Sequence, residues 1–416
     1  MTFRTALAGL NAANTDLSVT ANNIANVATT GFKKSRTEFA DVFSVSPFGL
    51  SRTAVGSGAR VATISQQFAQ GNIEFSDNPL DLAISGNGFF RLSDRGTAVF
   101  SRAGNFSTDR EGYVINPAGH RLQVFPPIPD SPGRFDTGRL VDLQINIGEN
   151  PPRATEDVTL GLNLPADATA PVTAPFDPDD PTSYNHSTSL TTYDSLGVAH
   201  VLTVYFVKGA NPNEWETHAW LDGTPGTNPA AIDVTGGAQP LVYDANGVLA
   251  TPNPGQLGPL TVTLGNGAAD LNLTFDLSTS TQYGQQFAVS QLFQDGFPTG
   301  RLTSLETSPT GVIFARFTNG QSEQLGQVAL ASFANPQGLQ KLGDNVWGES
   351  FESGQPLLSI PGTSSLGLIQ SGALEASNVD LTEQLVNMIT AQRNFQANAQ
   401  MISTQDQVTQ AVLNIR

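Results

Sequence analysis

Four histidines, His120, His186, His200 and His218, are the side chains best suited to bind a metal or to move a proton near neutral pH. None stands in the HExxH spacing that places two imidazoles on one helix face over zinc. His200 and His218 sit in strand-like runs, where a single imidazole reads as a packed or edge residue. Asp177, Asp179 and Asp180 lie close enough to suggest calcium, but the EF-hand spacing and its closing glutamate are missing, so a solvated Pro-Asp loop is expected. Gly86-Asn87-Gly88 evokes a phosphate loop, yet no Lys-Ser/Thr follows and an apolar strand-like run comes next, so it reads as a turn. Gly56-Ser57-Gly58 lacks the flanking pattern of a nucleophile elbow. With no cysteine there is no disulfide, thiolate-zinc site or thiol nucleophile. The residues therefore predict no catalytic group, no metal site and no cofactor: a protein that is not an enzyme.

The elements that would have to position such groups are unusual. Both ends read as helix and the long middle does not. Phe3, Leu7, Leu10, Leu17 and Ile24 follow a seven-residue a/d spacing. From Asn378 onward there is neither Gly nor Pro, and Leu381, Leu385, Met388, Phe395, Ile402, Val408 and Val412 form a second stripe whose register drifts past Ile402. Two such helices paired with each other leave half of each surface wet. The expectation is that the ends complete their packing, and their ordering, only against other copies of the chain.

Composition supports that reading. From Asp380 on, five charged residues stand against eleven Asn and Gln, whereas soluble coiled coils place Glu and Lys beside the seam. Amides suit a helix surrounded by protein, where an isolated charge is costly. The net charge of −17 comes from few basic residues, which removes the electrostatic footprint of a nucleic-acid binder. No stretch approaches eighteen apolar residues, so no membrane insertion is expected, and the first thirty residues make a poor Sec signal.

Five segments are predicted. Residues 1–32 form an N-terminal helix ending near Gly31, and residues 33–70 an extended linker. Residues 71–147 with 289–372 form a discontinuous inner β domain, including hairpins about Asp94-Arg95-Gly96 and Asn319-Gly320. Residues 148–288 form an inserted outer β domain whose boundary is the Pro-rich and Asp-rich run from Pro151 to Pro181, and 373–416 form the C-terminal helix. The fold class is mainly β with helical termini, nested, with the helices innermost as a coiled-coil-like polymer core and two successive all-β domains further out.

Particular residues sharpen this. Leu7-Ala8-Gly9-Leu10-Asn11-Ala12-Ala13, then Asn22-Asn23-Ile24-Ala25-Asn26 and Thr30-Gly31-Phe32-Lys33, closely resemble the N-terminal signature of bacterial flagellar rod and hook proteins. Asp81 through Phe90 and Arg102-Ala103-Gly104-Asn105-Phe106 resemble the inner β domain of that family, and Asn378-Val379-Asp380-Leu381 with Ala391-Gln392-Arg393-Asn394-Phe395 its C-terminal helix. The length and the large insert resemble hook rather than rod members. The resemblance implies a homopolymer of many copies forming a curved flexible tube that passes motor torque from rod to filament and encloses the export channel. It also implies rod and hook-filament junction proteins at the two ends and a hook cap during assembly. The location would be extracellular, in the flagellar hook, after passage through the type III export apparatus without a cleaved Sec signal. A surface rich in Thr, Asn, Gln, Gly and Asp suits contacts that slide as the tube bends.

Three other readings stay open. A distal-rod or a hook-filament junction subunit would share the terminal helices. A secreted β-sandwich carbohydrate binder or hydrolase would draw its carboxylates from distant strands, and it leaves the two apolar stripes without a purpose.

Overall fold

The computed structural model describes residues 2–42, 56–129, 131, 133–146, 148–221, 232–363 and 365–413. Two helices, α1 (Thr2–Ala25) and α2 (Leu381–Leu413), flank a chain that is otherwise almost entirely β. The chain divides into two compact units: Met1–Ile147 with Ser304–Arg316 and Ser322–Arg416, and Gly148–Thr303 with Phe317–Gln321.

In the first unit α1 and α2 pack on each other. α1 stops at Ala25, and a turn carries the chain to Gly31, whose φ of +67° only glycine adopts without strain. The segment expected as a linker is more than that. Ser35–Asp41 and Ala59–Gln66 pair antiparallel, with a bulge at Glu38/Phe39, and lie along α1. Pro47 and Gly49, which argued against a regular element there, fall outside the described residues. The β body contains the predicted hairpin, Phe89–Asp94 against Thr97–Ser101, turned by Arg95 and Gly96 at φ +49° and +94°. Val312–Phe317 and Ser322–Val328 form the other hairpin, with Gly320 at φ +81°. Phe90, Leu92, Phe100, Leu122 and Phe125 fill its interior. Edge-to-face contacts join Phe68, Phe89, Phe100, Phe333 and Trp347, and Trp347 Nε1 donates to Gln66 Oε1 at 2.6 Å. That bond ties the end of the helix-side hairpin into the core.

The second unit has two sheets that share one hydrophobic cluster. One runs His186–Tyr193, Ala199–Lys208, Glu214–Leu221, Gln239–Tyr243 and Leu249–Thr251, antiparallel throughout. The other is organised on Asp157–Pro165, which pairs in parallel with Leu271–Asp276 and Thr281–Tyr283 and antiparallel with Ala288–Gln294. Two expectations change here. The Pro-rich run is no simple boundary, because within it Val158, Leu160, Leu162 and Leu164 alternate into the core. Residues 289–294, expected to begin the return of the inner domain, instead extend this second sheet, since hydrogen bonding to Asp157–Pro165 settles their place and side-chain pattern does not.

Leu264 is buried in this cluster. Leu264→Asp buries a carboxylate without a partner, and calorimetry should show a transition assigned to the second unit lowered or lost while that of the first unit stays in place.

Three of the four histidines lie where packing uses them. His186 stacks on Phe287 at 4.4 Å and His218 on Phe176 at 4.1 Å. His200 is buried, with Nε2 3.5 Å from Asp194 Oδ2, while Asp194 Oδ1 accepts the amides of Leu196 and Val198 to shape the Asp194-Ser195-Leu196-Gly197 turn. Asp177 and Asp180 likewise cap their own loop. Burial pushes His186 and His218 below the ordinary value of 6.5, against the pull of Glu216 and Asp233 at His218. The unfolded chain then binds the proton first, so the second unit should lose stability as pH falls through about 6.5. Thermal melts from pH 7.5 to 5 check this, and an unchanged melting temperature would count against it.

Candidate assembly interface

The α1 side of its seam with α2 is made of small and polar residues, and Gln384, Ala391 and Asn398 stand on the α2 side. Asn23 Nδ2 donates to Gln384 Oε1 at 3.1 Å, and a Cβ added at Gly9 would stand 2.5 Å from Asn398 Oδ1. Asn23 to Gly9 and Gln384 to Asn398 cover the same length in opposite directions, so the pair is antiparallel. Ala6, Ala12, Ala13, Thr20 and Asn23 are buried on α1, and Gln384 and Ala391 on α2. The seam thus follows a 4-3 repeat through Ala6, Gly9, Ala13, Asp16, Thr20 and Asn23, one residue out of step with the large apolar stripe.

Of the apolar residues expected to pack, Phe3 and Leu7 on α1, and Leu381, Leu385 and Val408 on α2, are each between 42% and 51% exposed, as are Ile389 and Met401, which the stripe did not include. Leu10, Leu17 and Ile24 are half-buried on the flank of α1. Met388, Phe395 and Ile402 fall on the α2 seam repeat and are half-buried. The side chain of Val412 lies outside the described residues. One turn of helix is 3.6 residues, so a one-residue offset rotates a side chain by about 100° from the seam.

The asparagines of the N-terminal motif do separate jobs. Asn22 is exposed, and its carbonyl accepts from the backbone and the side chain of Asn26, whose Oδ1 in turn accepts from Thr29. Asn23 reaches beyond its own helix. Its amide both donates to Ser35 O and accepts from Ser35 N, at 2.8 and 2.9 Å, so it holds the first β strand to the helix pair. Ala25 is the exposed last residue of the helix, and buried Phe32 lies 5.2 Å beneath Lys341 Nζ.

Below the helices the outgoing and returning chains cross at a buried ionic node that the sequence reading did not identify as such. Lys33 Nζ lies 2.6 Å from Glu375 Oε1 and donates to Ala69 O at 2.8 Å. Arg102 Nη1 stands 3.4 Å from Glu375 Oε2, and its Nη2 donates to Gly86 O at 2.7 Å. The amide of Gly71 donates to the carboxylate, and that of Gly31 to the Glu375 carbonyl. All three charged side chains are 3% exposed or less. Burial pushes the Lys33 ammonium below its ordinary range, with Glu375 acting the other way. Asn378 adds a polar staple: it accepts from Lys34 N and donates to Gln67 O and Ala69 O. Asp380 then caps α2 through the amides of Thr382 and Glu383.

Gly31 sits against this node. A Cβ there would come within 2.5 Å of the Ala103 backbone nitrogen, in a left-handed conformation. Gly31→Ala should cost about 1–3 kcal/mol, read as a lower denaturation midpoint; an unchanged midpoint would contradict the tight crossing.

The chain matches four family models along its length. They are described as flagella basal body rod protein over residues 3–33, flagellar hook protein FlgE/F/G D1 domain over 83–169, flagellar basal body protein FlaE D2 domain over 163–297, and flagellar basal body rod FlgEFG protein C-terminal over 370–415. It is 38% identical over 420 residues to the flagellar hook protein FlgE of Salmonella typhimurium, covering all of both chains. It is 35% identical over 446 residues to that of Borreliella burgdorferi, covering 99% of this chain and 98% of the other. The crystal structure of Helicobacter pylori flagellar hook protein FlgE2 shares the fold, with a TM-score of 0.54 at 16% identity over 73% of this chain and all of that one. Two terminal helices with large apolar side chains left uncovered, an almost wholly β middle, and full-length identity to hook proteins agree: the chain belongs to the flagellar hook protein FlgE family.

Proposed function

We propose that this chain is the structural subunit of a bacterial flagellar hook. Copies assemble through their terminal helices into a curved flexible tube that carries torque from the rod to the filament and encloses the export channel. The observation that carries this reading is the exposure of Phe3, Leu7, Leu381, Leu385 and Ile389 on helices that are already paired with each other. Large apolar side chains exposed on such helices mark a protein-protein interface, and among the described residues they stay exposed. The buried node at the base of the helices supports the same reading, because a subunit that carries load needs its packing helices fixed to its β body. The subunit would act outside the cell, in the hook, after export through the type III apparatus with its N-terminal segment retained. Rod and junction proteins would meet the two ends of the tube, and a cap would guide insertion.

The test compares the full-length chain with one lacking residues 1–30 and 378–416 by light scattering and electron microscopy. Only the full-length chain should polymerise, and its polymers should curve. Straight, stiff polymers would point to a rod subunit, and equal behaviour of the two chains would defeat assembly through the helices.

A further inference from the structure

The two long sides of the α1/α2 pair differ. Leu7, Leu10, Leu17 and Ile24 each lie one residue beyond a seam position on α1, and Leu385 and Ile389 one residue beyond Gln384 and Met388 on α2. In an antiparallel pair the reversed direction and the facing orientation cancel, so one step beyond the seam falls on the same side of both helices. This front side carries the apolar ridge of Leu381, Leu385 and Ile389. The opposite, back side carries a groove of about 440 Å³ between α1, α2 and the strand Ser35–Asp41. Its walls include Asp16, Val19 and Asn23 of α1, Phe39 of the strand, and Asn387 and Thr390 of α2. Phe39 is 47% exposed at its edge, and Met401 and Val408 continue an exposed apolar line along the same side of α2.

We propose that the helix pair stacks front to back on a second copy of this chain, the ridge of Leu381, Leu385 and Ile389 entering the groove beside Phe39 of the next. This rests on the reading of the chain as a polymer subunit and adds which surfaces meet. Three observations select the occupant. The ridge spans residues 381–389 of α2 and the groove spans 383–390 of the same helix, so the two lie at one level on opposite sides, and neighbours set side by side bring them together with little axial shift. Ridge against ridge would be a two-fold contact that closes after two copies, whereas ridge into groove is heterologous and open-ended, as a tube requires. The contact would also join apolar to apolar where the aliphatic ridge meets Phe39, with the part-exposed Lys34–Glu383 ion pair, 3.1 Å apart, as polar lining of the same groove.

The absence of cysteine makes this testable by crosslinking. Gln392 and Asn394 are both exposed on α2, just beyond the ridge and the groove, the first toward the front and the second toward the back. Full-length Gln392→Cys and Asn394→Cys chains are polymerised separately and as an equal mixture, then treated with a short bismaleimide and run on a denaturing gel. Covalent dimers are expected from the mixed polymer and not from either single-variant polymer. Dimers of comparable yield in the Gln392→Cys polymer alone would show front-to-front packing and overturn the proposal, as would a mixed polymer that gives none. Failure of the unsubstituted chain to polymerise would instead defeat the functional reading, which separates the two failures.

Discussion

Glu375→Gln is expected to destabilise the helix-bearing unit by about 3–5 kcal/mol, because it leaves Lys33 and Arg102 buried with no countercharge. The two cations reach the node from segments far apart in sequence, and their remaining partners are the carbonyls of Ala69, Ile84 and Gly86. Carbonyls satisfy the donors but do not neutralise the charge. The loss should depend on pH. Burial already depresses Lys33, and removing Glu375 removes what holds its ammonium up. The unfolded lysine then binds its proton more tightly than the folded one, so the variant should regain stability as pH rises toward the ordinary lysine value of 10.5. Adding Lys33→Met should restore part of the loss at neutral pH, since one buried cation then disappears. Calorimetry of the three chains reads all of this. A single variant within about 0.5 kcal/mol of the parent, the range of an ordinary surface change, would show that the node does not bear on stability.

Leu385→Asp is expected to abolish polymerisation while leaving the dilute chain as stable as before. Leu385 is 44% exposed beside the seam, so a carboxylate there stays hydrated in the single chain. Assembly would bury it without a partner, at a cost of about 3 kcal/mol or more, which is on the order of a hundredfold or more in the concentration needed to polymerise. Ile402→Asp should behave differently. Ile402 is half-buried on the seam repeat, so its replacement should loosen the helix pair itself and lower helicity before any assembly. Sedimentation of polymer and circular dichroism of dilute chains separate the two cases. Normal polymer from Leu385→Asp would remove the front side of the helix pair from the assembly contact.

Much of the β architecture was legible because strand periodicity and turn chemistry are local. The strands at Leu271–Asp276 and Ala199–Lys208 alternate cleanly between core and solvent, and the hairpins at Arg95-Gly96 and Asn319-Gly320 carry the residues that a left-handed turn demands. Asp157–Pro165 was hidden by the prolines around it, although Val158, Leu160, Leu162 and Leu164 carry the same alternation. The hairpin beside α1 was hidden for another reason. Its strands rest on a helix by one partly covered face and show little contrast between apolar and polar positions.

The sequence alone determined that this chain has two amphipathic ends of low charge and a β middle, because those properties follow from residue type and local period. It also carried the motif residues that led to the family. What only the tertiary structure decided is which face of each helix the chain keeps for itself. An apolar stripe shows that burial is needed and cannot say whether the cover comes from within. Here the seam takes Gly9, Ala13 and Asn23 of α1 with Gln384, Ala391 and Asn398 of α2, and the large aliphatic side chains of α1 stand one residue off it, half-buried or exposed. The node of Lys33, Arg102 and Glu375 was equally out of reach of the sequence, because nothing local to any one of these residues requires its charge to be buried beside the other two.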